Sequence, residues 1–100
     1  DRAGLGAVID LELASLSDRL TALGMSLRVS EPARAWLIDR AVSTGSGRAM
    51  RGLVERWVLE PIAEAVAAGG VEAGMSLEVI PAGDGRALTW QARPTLVRAG

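Results

Sequence analysis

Residues 46–67, SGRAMRGLVERWVLEPIAEAVA, form the longest periodic stretch of the chain. Met50, Leu53, Val54, Trp57, Val58, Pro61, Ile62, Ala65 and Val66 recur at steps of three and four. This spacing predicts one apolar side of an α-helix, with Arg48, Arg51, Glu55 and Arg56 off the stripe. Pro61 has no N–H for the carbonyl of Trp57, so a bend near 57–61 is expected. The first turns carry Arg48 and Arg51, where the positive end of the helix dipole disfavours a cation by about 0.3–1 kcal/mol. An anionic ligand would account for arginines in that place.

The elements that pack on this helix read outward from it. Residues 1–7 hold two glycines and read as a loose entry. From Val8, the positions Ile9, Leu13, Leu16, Leu20 and Leu23 predict a first amphipathic helix, with Asp10 and Glu12 in its early turns. Gly24 follows as a left-handed C-terminal cap. Leu27-Arg28-Val29 reads as a short strand with Leu27 and Val29 inward. Ser30 is the N-cap of a second helix that runs to about Ala41, with Ala33, Trp36, Leu37 and Ala41 as its buried stripe and Asp39-Arg40 on its polar side. Residues 43–47 are a loop of small residues, and Ala67-Ala68-Gly69-Gly70 ends the long helix.

After a turn at 71–74, residues 76–80 and 86–91 form a hairpin around Pro81-Ala82-Gly83-Asp84-Gly85. Pro94 stops the last strand, and 95–100 reads as a fraying end. The order is helix, strand, helix, helix, strand, strand. This predicts a single α/β (α+β) domain, 1–100 with its core at about 8–91, in which three helices pack on a three-stranded sheet.

Composition narrows the chemistry. At 100 residues, 49% hydrophobic and 23% charged, the chain suits one globular domain. A net charge of −1 gives no electrostatic case for nucleic acid or an anionic membrane as partner. There is no membrane-spanning apolar run and no signal peptide in the first residues. The chain starts at Asp1 rather than Met, as a piece of a longer protein would. All eleven basic residues are arginine, and there is no His and no Cys. Thiol nucleophiles, histidine acid–base chemistry, Schiff bases and a phosphate-loop lysine are therefore excluded, and by itself the chain is a poor enzyme. Lack of cysteine agrees with a reducing cytoplasm. Glu55, Glu60 and Glu64 do not converge as metal ligands and read as a polar helix face. Trp36, Trp57 and Trp90 sit on apolar stripes, which favours core packing over base stacking. Leu59 lies off the stripe, as a scattered surface leucine or part of an intersubunit contact. Arg51 either supports Arg48 or pairs with Glu55 one turn on, and the pairing is favoured.

LELASLSDRLTALGMSLRVSEPARAWLIDR (11–40), GRAMRGLVERWVLEPIAEAV (47–66) and GVEAGMSLEVIPAGDGRALTW (70–90) follow one another in a distinctive order. Together they resemble the C-terminal small domain of Clp-type (ClpB-, ClpA- and ClpC-like) AAA+ ATPases. Gly47-Arg48 and Glu60-Pro61-Ile62-Ala63 carry the most specific part, and the resemblance covers roughly 8–91. It implies that Arg48 is the sensor-2 arginine, reaching phosphates of ATP or ADP held mainly by a large AAA+ domain outside this sequence. It also implies contacts with the large domain of the same chain and of a neighbouring subunit, a homo-oligomeric (hexameric) ring, protein substrates to unfold or disaggregate, and a cytoplasmic setting. No metal is expected on this piece. Ala49 stands where the family usually has Pro, and the loop before Arg48 is about one residue shorter. These departures mark a diverged member, and they leave open an interaction module on the same scaffold without a nucleotide role.

Overall fold

A computed structural model of the chain describes residues 2–44 and 49–94. Helix α1, Arg2–Ala22, buries Gly6, Ile9, Leu13, Leu16 and Leu20. The expected loose entry at 1–7 is helical from Arg2. Gly6 is there for packing: a Cβ on it would lie 2.9 Å from Nη2 of Arg34. With the helix starting earlier, Asp10 and Glu12 fall in its middle rather than near its positive end. Leu23 lies past the last helical turn and is exposed rather than buried.

The helix ends as the sequence predicts. Gly24 has φ 84°, a conformation that a side chain disfavours. Its N–H donates to the Thr21 carbonyl (2.9 Å), and that of Met25 reaches back to Leu20 (2.9 Å). Met25 and Leu20 are both buried, so the cap also closes one end of the core.

Strand β1, Ser26–Val29, turns Leu27 and Val29 inward. Ser30 then caps the next helix, its Oγ accepting the N–H of Ala33 at 3.2 Å. Helix α2, Glu31–Thr44, extends a turn beyond the expected end near Ala41. Ala33, Leu37 and Ala41 are buried as expected, together with Ile38.

The third helix, 49–67, is continuous but not uniform. An α-helical part, Ala49–Val54, leads into a π-helical turn, Glu55–Leu59, and the α-helix resumes over Glu60–Ala67. The Glu60 N–H donates to the Glu55 carbonyl, five residues back. Pro61 follows directly, so the expected irregularity takes the form of a widened turn ahead of the proline. The turn also solves a phase problem. The most buried positions, Met50, Val54, Val58 and Ile62, step by four each time. At 3.6 residues per turn each such step drifts by roughly 40°, and a wider turn takes up the drift. Leu59 is carried inward with it and packs half-buried against the core, which removes it as a scattered surface leucine.

A second glycine cap, Gly69 (φ 81°), ends this helix, and Gly70 N–H donates to the Ala65 carbonyl at 2.8 Å. Strands β2, Met75–Pro81, and β3, Leu88–Pro94, complete a sheet ordered β1-β2-β3. β1 and β2 are parallel, and α2 with the third helix forms the crossover that parallel pairing requires. β2 and β3 form the expected antiparallel hairpin. Leu77, Val79 and Leu88 are buried, with Leu27, Val29, Trp90 and Ala92 packed beside them, while Ser26, Arg28, Thr89 and Gln91 are more open to solvent. One sheet face thus meets the helices. The expected fraying end at 95–100 lies outside the described residues.

Candidate functional site

Arg48, the residue singled out by sequence, belongs to 45–48 and lies outside the described residues. In sequence it lies between the end of α2 at Thr44 and the start of the third helix at Ala49. Met50, two residues after Arg48, is buried and anchors this end of the third helix. Arg51 points to α1, its Nε 3.8 Å from Oε2 of Glu12. The expected pairing of Arg51 with Glu55 is thereby replaced by a contact between helices. Earlier on α1, Asp10 takes both prongs of the Arg34 fork, Nε to Oδ1 at 2.7 Å and Nη2 to Oδ2 at 2.9 Å. The hydrogen bond from Arg34 holds the Asp10 carboxyl below its ordinary pKa, against partial desolvation, and the same contact raises Arg34. Arg2 pairs with Asp39 of α2 at 2.6 Å. Three arginine–carboxylate contacts therefore tie α1 to its two neighbouring helices.

A second side-chain cluster lies where α2, the π turn and the hairpin turn meet. The rings of Trp36 and Trp57 pack edge to face, with centroids 5.1 Å apart. The Arg40 guanidinium stands over both, 4.6 Å from the Trp36 ring and 5.0 Å from that of Trp57. Arg56 adds a second cation 5.1 Å from Trp57. Such contacts suit the negative face of an indole. Two hydrogen bonds fasten the cluster to the hairpin turn: Trp36 Nε1 donates to the Gly85 carbonyl (2.8 Å) and Arg40 Nη2 to the Arg86 carbonyl (3.2 Å). Among the described residues Arg40 Nε is shielded and has no hydrogen-bond acceptor, so the indole faces are what its side chain rests on. An open groove of about 280 Å³ runs alongside, lined by Trp36, Asp39, Arg40, Ser43 and Gly85.

The tryptophans therefore differ from the expected core residues. All three are half-buried and pack against the core rather than within it. Sequence reasoning passed over Arg40, although the signal was present: Trp36 and Arg40 stand four apart, the spacing at which helical side chains meet. Among the described residues, no three carboxylates gather closely enough to hold a metal ion, and no helix is long and apolar enough to cross a membrane.

A family model for the C-terminal, D2-small domain, of ClpB protein matches residues 1–79. Chaperone protein ClpB of Corynebacterium glutamicum is 33% identical over 85 residues, 84% of this chain and 10% of that protein. The ClpB of Rhizobium meliloti is 29% identical over 84 residues, 83% of this chain and 10% of its own length. That of Mycobacterium leprae is 34% identical over 82 residues, 81% and 10% respectively. The chain spans about a tenth of the length of the curated relatives it matches.

Proposed function

The chain belongs to the family of the C-terminal, D2-small domain of ClpB protein, and from that membership we propose that it is the lid of an ATP-driven protein-remodelling ring. The observation that carries the reading is the family match itself, which takes in Gly47-Arg48 and the Pro61 segment. In this reading Arg48 senses nucleotide. It precedes Ala49, where the described part of the third helix begins, and an arginine fork with nearby helix N–H groups suits a phosphate oxygen. ATP or ADP is held mainly by a large domain of the same chain, because this chain has neither lysine nor a phosphate-loop motif. Closure of the lid then couples hydrolysis to movement between subunits. Arg51, engaged with Glu12, joins the third helix to α1 rather than supporting Arg48.

Ring assembly is the second half of the proposal. Ala7, Val8, Leu11, Ala14 and Ser15 form an exposed, uncharged stripe on α1, with Leu11 72% exposed. Apolar contact with a large domain, of this subunit or the next, would cover it. The parent acts on protein substrates in the cytoplasm and needs neither nucleic acid nor membrane as partner. The competing reading, an interaction module without a nucleotide role, rests on Ala49 and the shortened Ser-Thr-Gly loop.

The test is Arg48→Ala in the full-length parent. Losing one charge-assisted phosphate contact is expected to lower nucleotide-dependent turnover by about ten- to hundredfold while thermal unfolding of the domain stays unchanged. Wild-type turnover removes Arg48 from the mechanism. A coding sequence without a phosphate loop upstream of this domain favours the module.

A further inference from the structure

Most arginines that bridge the helices have an acidic partner: Arg2 with Asp39, Arg34 with Asp10, Arg51 with Glu12. Arg40 and Arg56 do not. Both guanidinium groups lie within about 5 Å of the Trp57 ring, and neither forms an ion pair among the described residues. Two cations gathered on one indole repel each other unless an anion joins them. Glu55 and Glu60, the acids nearest Arg56 in sequence, form no ion pair with it among the described residues, and two further acids are engaged elsewhere. Asp39 is held by Arg2, and Asp84 Oδ1 accepts the backbone N–H of Arg86 at 3.0 Å.

We propose that this rim is a docking surface for an acidic segment of a partner protein. Tryptophan and arginine are the residue types that most often dominate protein interfaces, and the guanidinium fork matches a carboxylate. The groove beside them, about 280 Å³, is open to solvent rather than enclosed, unlike the cavities that bury most of a small organic ligand. It suits a carboxylate side chain carried on an extended segment. The Ser43 hydroxyl, which donates to the Asp39 carbonyl, keeps acceptor capacity for that segment's backbone N–H. The proposal does not depend on Arg48.

The test is a titration of the isotope-labelled chain with a ten-residue Glu/Asp peptide, followed by NMR. Saturable shifts are expected at the indole N–H groups of Trp36 and Trp57 and along 39–43 and 85–87, weakening as salt is raised. Arg56→Gln, at an exposed position, should weaken binding about two- to fivefold. Arg28→Gln, on the outer sheet face, should leave it unchanged. The inference is overturned by shifts that do not saturate, by equal binding of a Gln/Asn peptide, by an unaffected Arg56→Gln, or by inorganic phosphate reproducing the same shifts at the same concentration.

Discussion

Helix α1 and the third helix are the two longest elements, and they meet the same core by different means. In α1 the buried side chains Ile9, Leu13, Leu16 and Leu20 step by four, three and four. This averages close to 3.6, so an unperturbed α-helix keeps all four on one side. The third helix steps by four throughout, from Met50 to Ile62, and stays in phase only through the π turn at Glu55–Leu59. An apolar pattern therefore specifies more than the presence of a helix. Its mean period also specifies the pitch, and a surplus over 3.6 has to appear somewhere as a wider turn.

Deleting one residue from each helix breaks this contrast most sharply. Removal of Ser15 from α1 rotates its two halves by about 100° relative to each other, which takes either Ile9 and Leu13 or Leu16 and Leu20 off the core. Each lost burial costs about 1.5–3 kcal/mol, and a domain holds only about 5–15 kcal/mol in total. A urea midpoint lowered by a large fraction of the wild-type value is expected. Removal of Arg56, exposed within the π turn, has the opposite consequence. Its buried series becomes four, three, four, the same as in α1, and the turn can close to ordinary α-helix. A folded domain with a clear urea transition is expected. If the two deletions unfold the chain equally, helical phase is not what separates the two elements.

The distance over which each feature is determined decides how legible it is in the sequence. The order of elements, the glycine cap at Gly24, the Ser30 cap and the hairpin are all legible, because each rests on local chemistry within a few residues. Two kinds of feature are not. Gly6 reads as a loop glycine because its reason is the close approach of Arg34, which is 28 positions away in sequence. Arg51 has an acidic neighbour in its own helix, Glu55, whereas the partner it takes, Glu12, reaches it from another. The Arg40 cluster shares this origin, since it needs Trp57 and the hairpin carbonyls brought together by the fold. At the proposed nucleotide-sensing site, sequence alone speaks for Arg48.

A smaller contrast lies between Gly6 of α1 and Gly52 of the third helix. A Cβ added at Gly52 would meet nothing within 4 Å, whereas at Gly6 the Arg34 guanidinium and Ile38 Cδ1 stand at 2.9 and 3.4 Å. Alanine gains up to about 1 kcal/mol over glycine in a helix. Gly52→Ala should deliver about 0.5–1 kcal/mol, read as a raised urea midpoint at constant slope. Gly6→Ala must shift the end of the Arg34 side chain that holds Asp10 and should gain less or lose. Equal gains at both positions would mean that α1 and α2 are not pressed together at Gly6.

The smallest effect concerns the two acidic links that leave α1. Asp10 holds Arg34 by two bonds of 2.7 and 2.9 Å, and Glu12 meets Arg51 only at 3.8 Å. Because its folded pKa is lowered by the Arg34 hydrogen bond, Asp10 binds its proton less readily folded than unfolded. Its contribution is therefore present above the ordinary carboxylate range near pH 4 and is lost as pH falls through the lowered folded value. The pair is exposed, with 33% of the Arg34 and 53% of the Asp10 side chain accessible, so solvent screening limits it to less than about 1 kcal/mol. Asp10→Asn should cost a few tenths of a kcal/mol at pH 7, and wild type and variant should converge in strong acid. Glu12→Gln should cost less, since a 3.8 Å contact is too long for a directed hydrogen bond. A larger loss at Glu12 than at Asp10 would reverse the ranking and make the Arg51 link, rather than the Arg34 fork, the stronger polar tie on α1.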